Sequence, residues 1–144
     1  MTGRHLLQHV LAAVVSIAVA GFLLWSRRDP VEIYGAEITP AVKAGQLIKI
    51  TRYGKFLRSD CVRTVSAWIV DSQGTPWPRV AETTGRAIDM QTPSIGREIP
   101  VPFSAAWGKA RYLQQISYAC FPFGELWPIV VDLPELAFVI DPPQ

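Results

Sequence analysis

Two histidines, two cysteines and twelve carboxylates are the side chains from which this 144-residue chain could build a reactive centre. A Ser-His-Asp hydrolase needs its base beside its nucleophile. His5 and His9 both belong to an apolar N-terminal stretch, remote from Ser66, Ser94 and Ser117, which excludes such a site from the rest of the chain. The two histidines, four residues apart, would share a helical face, but at the end of an apolar helix their expected role is interfacial. Glu82, Asp89, Glu98, Glu125 and Glu135 are of the type that works in pairs on glycosidic bonds, yet no two of them stand in a recognisable motif, and solvated surface positions are expected. No phosphate-cradling glycine loop, zinc spacing or calcium loop is present. The expectation is a chain without catalytic residues, cofactor, metal or small-molecule substrate.

Binding chemistry is better represented. The run Phe121-Pro122-Phe123-Gly124-Glu125-Leu126-Trp127-Pro128 gathers four large apolar side chains in an expected loop. Phe121 and Trp127 could simply cap a core. Rigid aromatics flanked by proline also supply contact area at low entropic cost, which makes Phe121, Phe123, Leu126 and Trp127 candidate contact residues. Cys61 and Cys120 carry two readings: a disulfide formed in an oxidising compartment, or two buried thiols.

The element that must carry all this is read from the N-terminus. Residues 10–25 contain no charge, and extension back to Leu6 admits only Gln8 and His9, giving twenty residues. Twenty helical residues rise about 30 Å, the thickness of a bilayer core. A signal peptide cleaved after Ala20 is the competing reading, since Ala18-Val19-Ala20 is an acceptable cleavage site. The apolar run continues through Phe22, Leu23, Leu24 and Trp25 to Arg27-Arg28, which favours an uncleaved anchor over residues 6–25. Basic groups flank the segment on both sides, so the positive-inside rule is nearly silent and leans only slightly towards a cytoplasmic domain. The cysteine pair argues the other way, and the remaining residues are expected outside the cytoplasm.

Two units follow: an anchor with basic flanks over residues 1–29 and one domain over residues 30–144. Three of the 14 basic and one of the 12 acidic side chains fall in the anchor, leaving 11 of each sign in the domain. Lys43, Lys49, Arg52, Lys55, Arg58 and Arg63 crowd one stretch, while Glu125, Asp132, Glu135 and Asp141 fill a C-terminal tail without basic residues. A neutral domain lacks the net basic footprint of a nucleic-acid binder.

All twelve prolines lie from Pro30 onward, too closely spaced for helices of ordinary length. The segments between them alternate in polarity. Residues 47–53 place Ile48 and Ile50 opposite Lys49 and Thr51; residues 61–71 are rich in Val, Thr, Trp and Ile and end at the turn signal Asp71-Ser72-Gln73-Gly74; residues 111–121 alternate with only Gln114 spoiling the pattern. Shorter strands are expected over residues 31–39, 87–90, 97–101, 129–133 and 136–140, the last two separated by Pro134, with long loops over residues 72–96. Seven or eight strands in 115 residues predict an all-β sandwich or small barrel.

Tyr118-Ala119-Cys120 resembles the Tyr-x-Cys of strand F in immunoglobulin-like domains, and Cys61 precedes a strand bearing Trp68, as Cys and Trp do in that fold. The seven-residue spacing departs from the antibody pattern. The resemblance implies an antiparallel immunoglobulin-like sandwich with residues 47–53 as strand B and 62–71 as strand C. It also implies a Cys61–Cys120 cross-link between strands C and F at one end, in place of a B–F bridge through the core. By the same connectivity, residues 54–60 become the B–C loop and 121–128 the F–G loop, at the end where the anchor enters strand A. Lys55, Phe56 and Arg58 then join the candidate contact residues there. The stretch from Gly108 to Tyr112, Tyr118 to Cys120, Trp127-Pro128 and a final strand with Phe138 is also similar to small single-pass proteins of tailed phages and prophages. The function expected from all of this is a non-enzymatic, membrane-tethered binding module that contacts the bilayer through residues 6–25 and another envelope or virion protein through its loops. The alternatives are a structural subunit of a secretion or lysis assembly and, last, an envelope hydrolase or its inhibitor.

Overall fold

The computed structural model describes residues 2–26, 28–78, 82–84, 94–121 and 124–142. Helix α1 spans Thr2–Ser26. Its segment Leu7–Trp25 is, by length and composition, able to cross a membrane, a property that signal sequences share, and none of that segment is buried against the rest of the chain. Beyond it the chain is strand-rich: β1 Val31–Ile38, β2 Ala41–Lys43, β3 Leu47–Phe56, β4 Cys61–Val70, β5 Pro76–Pro78, β6 Glu82–Thr84, β7 Ser94–Pro100, β8 Gly108–Cys120 and β9 Ile129–Asp141. Three strands form one sheet in the order β1-β3-β7. The other sheet runs β2-β9-β8-β4-β5, with β6 also paired to β4.

The alternation in residues 47–53 works as the sequence suggests: Ile48 and Ile50 are buried and Leu47 and Lys49 exposed. β3 nevertheless runs on to Phe56, because β1 pairs with it as far as Val31↔Phe56. Lys55 and Phe56 are therefore strand residues, and the connection to β4 is only residues 57–60. Gln114 marks an irregularity in the β8–β9 ladder. Between Tyr112 and Gln114 the partner strand advances from Leu136 to Leu133, so the extra residue lies in β9, beside Pro134. Residues 129–133 and 136–140 are thus one bulged strand. A bulge is where a proline, lacking an N–H, is tolerated inside a ladder.

Two further expectations are corrected. β2 pairs in parallel with β9, in register Ala41↔Val139, so the pairing is not antiparallel throughout. The stretch 72–96 holds β5, β6 and the start of β7, since β4 offers its free edge to both short strands. Trp68 lies on the same strand as Cys61 but in the opposite phase from the buried residues Cys61, Val65, Ala67 and Ile69. The strand expected at 87–90 falls outside the described residues.

Both sheets contribute to the main core cluster, with Ile48, Ile50 and Ile99 from one and Ile69, Tyr112, Phe138 and Ile140 from the other. A second cluster, containing Val31, Phe56, Cys61, Val65, Ile116, Tyr118, Cys120 and Leu133, fills the end nearest the helix. Each fully buried aliphatic side chain contributes about 1.5–3 kcal/mol relative to exposure.

Candidate functional site

Cys61 opens β4, Cys120 closes β8, and the two stand directly opposite in the ladder. They form a disulfide with their Cα atoms 4.0 Å apart. The bond therefore clamps neighbouring strands at the base of the 57–60 and 121–128 connections. Gly124 folds back against it: a Cβ there would overlap the Cys120 amide nitrogen and the Ala119 backbone, so only glycine fits this close approach.

Arg58 ties the same end together. Its Nε and Nη2 donate to the Asp60 carboxylate at 3.0 and 2.6 Å, and Nη2 also donates to the Phe121 carbonyl at 3.3 Å. Its guanidinium lies 5.6 Å from the Trp25 ring centroid, within cation–π range. The Phe121 amide donates to the Asp60 carbonyl at 3.4 Å, and the Leu57 amide to the Pro30 carbonyl at 2.9 Å. Hydrogen bonds thus join the first loop to the second, and the Arg58–Trp25 ring contact adds the helix end to the same junction.

The candidate contact residues divide here. Phe121, Leu126 and Trp127 are 73, 89 and 64% exposed, with Leu57 partly exposed beside them in the sequence of the first loop. Lys55 is exposed on β3, opposite Glu32. Phe56 and Arg58 are not contact residues as expected. Phe56 is buried in the second cluster with the Arg63 guanidinium 5.2 Å from its ring centroid, and the Arg58 side chain is only 10% exposed because its partners hold it inward. Phe123 lies outside the described residues.

Among the described residues, the remaining chemistry-bearing side chains do not converge. His5 and His9 are exposed on α1. Glu98 and Glu125 are exposed on separate elements, and Glu135 faces Arg111 at 3.5 Å across the β8–β9 pair. Asp89 and the Glu82 side chain lie outside the described set.

Sequence reasoning passed over three features. Phe103 and Trp107, in the connection between β7 and β8, are strongly exposed at the end away from the helix; only their aromatic type could have flagged them. Asp71, read as a turn signal, is a buried carboxylate that accepts from the amides of Gln73, Thr75 and Ala106 and from Trp77 Nε1, at 2.9–3.1 Å. Burial alone would raise its carboxyl, but these donors outweigh that and hold it below the usual carboxylate range. Arg52 is the third. It continues the inward phase of Ile48 and Ile50 and is 3% exposed between the sheets, a position the two-residue period already assigns it. Its Nε donates to Gln114 Oε1 and its Nη2 to the Pro134 carbonyl, both at 3.0 Å, so the residue that spoils the alternation and the proline at the bulge are its two acceptors.

No family model matches the chain, and no curated protein does. Among solved structures, it is similar to the Pseudomonas fluorescens alkylpurine DNA glycosylase AlkC, in a structure bound to DNA containing an abasic site analog. Identity is 16% and the TM-score 0.50, over 83% of this chain and 33% of that one. An immunoglobulin-like protein from Pseudomonas aeruginosa matches at 14% identity and a TM-score of 0.45, over 81% of this chain and 99% of the other. The chain spans about a third of the glycosylase's length. The first is a likeness of fold alone, and the second supports no conclusion of its own.

Proposed function

We propose that the chain is a non-enzymatic binding module, an immunoglobulin-like sandwich over residues 30–144 tethered by a membrane-spanning helix over residues 6–25, that contacts another envelope or virion protein through its loops. The observation that carries this reading is the exposed Phe121, Leu126 and Trp127 on a loop locked to the end of the helix by Arg58 and braced by the disulfide. Exposed apolar groups on a fixed loop give contact area with little ordering cost. The disulfide supports placement of the domain outside the cytoplasm.

A photo-crosslinking amino acid at Leu126 or Trp127, activated in the intact envelope, tests it. A discrete protein adduct that disappears with Phe121→Ser in the same chain is expected. Adducts to lipid alone would overturn the protein-binding reading. A second reading, a scaffold subunit, is favoured by the exposed Phe103 and Trp107 at the opposite end. It predicts adducts between copies of this chain from position 107.

A further inference from the structure

Beside the second core cluster the interior is not filled. A cavity of about 30 Å³ is lined by Arg52, Arg63, Arg97, Gln114 and Tyr118, with Val31, Ile33, Val65, Ile116 and Leu133 completing the wall. Among the described residues no carboxylate lines it. Two buried polar atoms there lack a partner, Arg52 Nη1 and the Tyr118 hydroxyl, on side chains 3 and 2% exposed.

Both atoms ask for the same kind of guest. Gln114 Oε1 is already taken by Arg52 Nε and by the Tyr112 hydroxyl at 3.3 Å, so it has no capacity left to satisfy a third donor. Arg52 cannot shed its proton to escape the cost of burial, because a guanidinium stays charged in proteins. Its acceptors, an amide oxygen and a peptide carbonyl, are neutral. Tyr118 is neutral at ordinary pH, burial having pushed its phenol up to about 12, so its hydroxyl is available as a donor. A water could accept both hydrogen bonds but, with no carboxylate among the described lining residues, would bring no counter-charge to the buried guanidinium of Arg52, which is the costly arrangement. The volume of about 30 Å³ admits two or three water-sized guests, at roughly 10–15 Å³ each, which is enough for one monatomic anion.

We infer that this cavity is a binding site for one small monatomic anion, of the chloride class, held between the sheets by Arg52 Nη1 and the Tyr118 hydroxyl. The anion is then a structural part of the joint between the sheets. Its binding stabilises the folded state by mass action, since the unfolded chain has no such site.

The test uses the full chain in detergent micelles. Thermal unfolding is followed by circular dichroism while chloride replaces gluconate at constant ionic strength. A melting temperature that rises saturably with chloride, and equally with bromide, is expected. Tyr118→Phe keeps the ring and removes the donor, and should move the midpoint of the chloride response about tenfold higher, equivalent to about 1.4 kcal/mol. Bromide-soaked crystals should show an anomalous peak within hydrogen-bond distance of Arg52 Nη1. Arg52→Met should abolish the response; if that variant does not fold, the Tyr118→Phe shift and the bromide peak decide. A melting temperature indifferent to chloride against gluconate, or a site holding only water in bromide-soaked crystals, overturns the inference.

Discussion

Asp71 and Tyr118 place opposite demands on pH, and each can be read in the stability of the protein. Asp71 is held ionised by four donors, so its folded pKa lies below the unfolded value of about 3.9. A lowered folded pKa means that the stabilisation is complete above the unfolded value and is lost as pH falls through the folded one. Asp71→Asn keeps the acceptor for Gln73 and Thr75 but turns an amide donor towards the Trp77 and Ala106 N–H groups. A loss of about 2–4 kcal/mol is expected at pH 7. In chemical denaturation, the gap between wild type and Asp71→Asn should narrow as pH drops from 6 to 3; a constant gap would show that the carboxylate charge is irrelevant. Tyr118 works at the other end of the scale. With a folded pKa of about 12 against about 10 unfolded, its contribution is intact below pH 10 and lost as pH rises through 12. Tyr118→Phe should flatten part of the alkaline decline in stability, and ultraviolet titration of the native protein should show a phenol that ionises late.

At the scale of elements, the 57–60 and 121–128 connections depend on the bond beneath them. In the chain-entropy picture a disulfide closing a separation of 59 residues contributes on the order of 4 kcal/mol. Reduction should lower the melting temperature, and Cys61→Ser with Cys120→Ser should match the reduced protein. Gly124→Ala should loosen the second loop, because its Cβ has no space beside Cys120. Limited proteolysis of the 121–128 loop reads this directly, and an unchanged cleavage rate would mean that the loop does not need the close approach. The legibility of these elements followed from how local their causes are. The long strands around Ile48, Val65 and Ile116 were readable because alternation is written in consecutive residues. β2, β5 and β6 were not, since three-residue strands carry almost no periodic signal and exist because β9 and β4 offer free edges. The bulge was half-readable: Gln114 and Pro134 both stood out as faults, but that they were one feature, serving Arg52, depends on register across two strands. The disulfide between these strand ends came from the immunoglobulin resemblance. Phe56 and Arg58 were misjudged because the length of β3 is set by its pairing with β1, which no residue of β3 announces.

For the whole molecule, the decisive relation is between the helix and the end of the domain it enters. β1 begins at Val31, four residues after the position of Arg27, and its first residue pairs with the last residue of β3. The entry point therefore coincides with the 57–60 connection, and β4 and β8 bring the 121–128 loop to the same end through the disulfide. Trp25, Arg28, Leu57, Phe121, Leu126 and Trp127 are all exposed in this part of the chain. Aromatic and basic side chains together suit the headgroup region of a bilayer. If α1 spans the membrane, that end must lie close to it, because Arg58 stacks on Trp25 and leaves little linker to swivel. Two measurements separate the tether from the contact. Ala18→Arg puts a charge near the bilayer centre and should impair insertion by about 3 kcal/mol, with a reporter fused after Gln144 active outside the cytoplasm in the parent chain. Parallax quenching by lipids brominated at shallow positions, taken as the difference between the reconstituted full-length protein and its Trp127→Phe variant so that Trp25 cancels, should then report the Trp127 ring near the headgroups, and Arg58→Ala should weaken that difference by freeing the loop from the helix. Strong quenching that survives Arg58→Ala would mean that the loop binds lipid by itself. No contribution of Trp127 in either chain would remove the membrane from the account of this end.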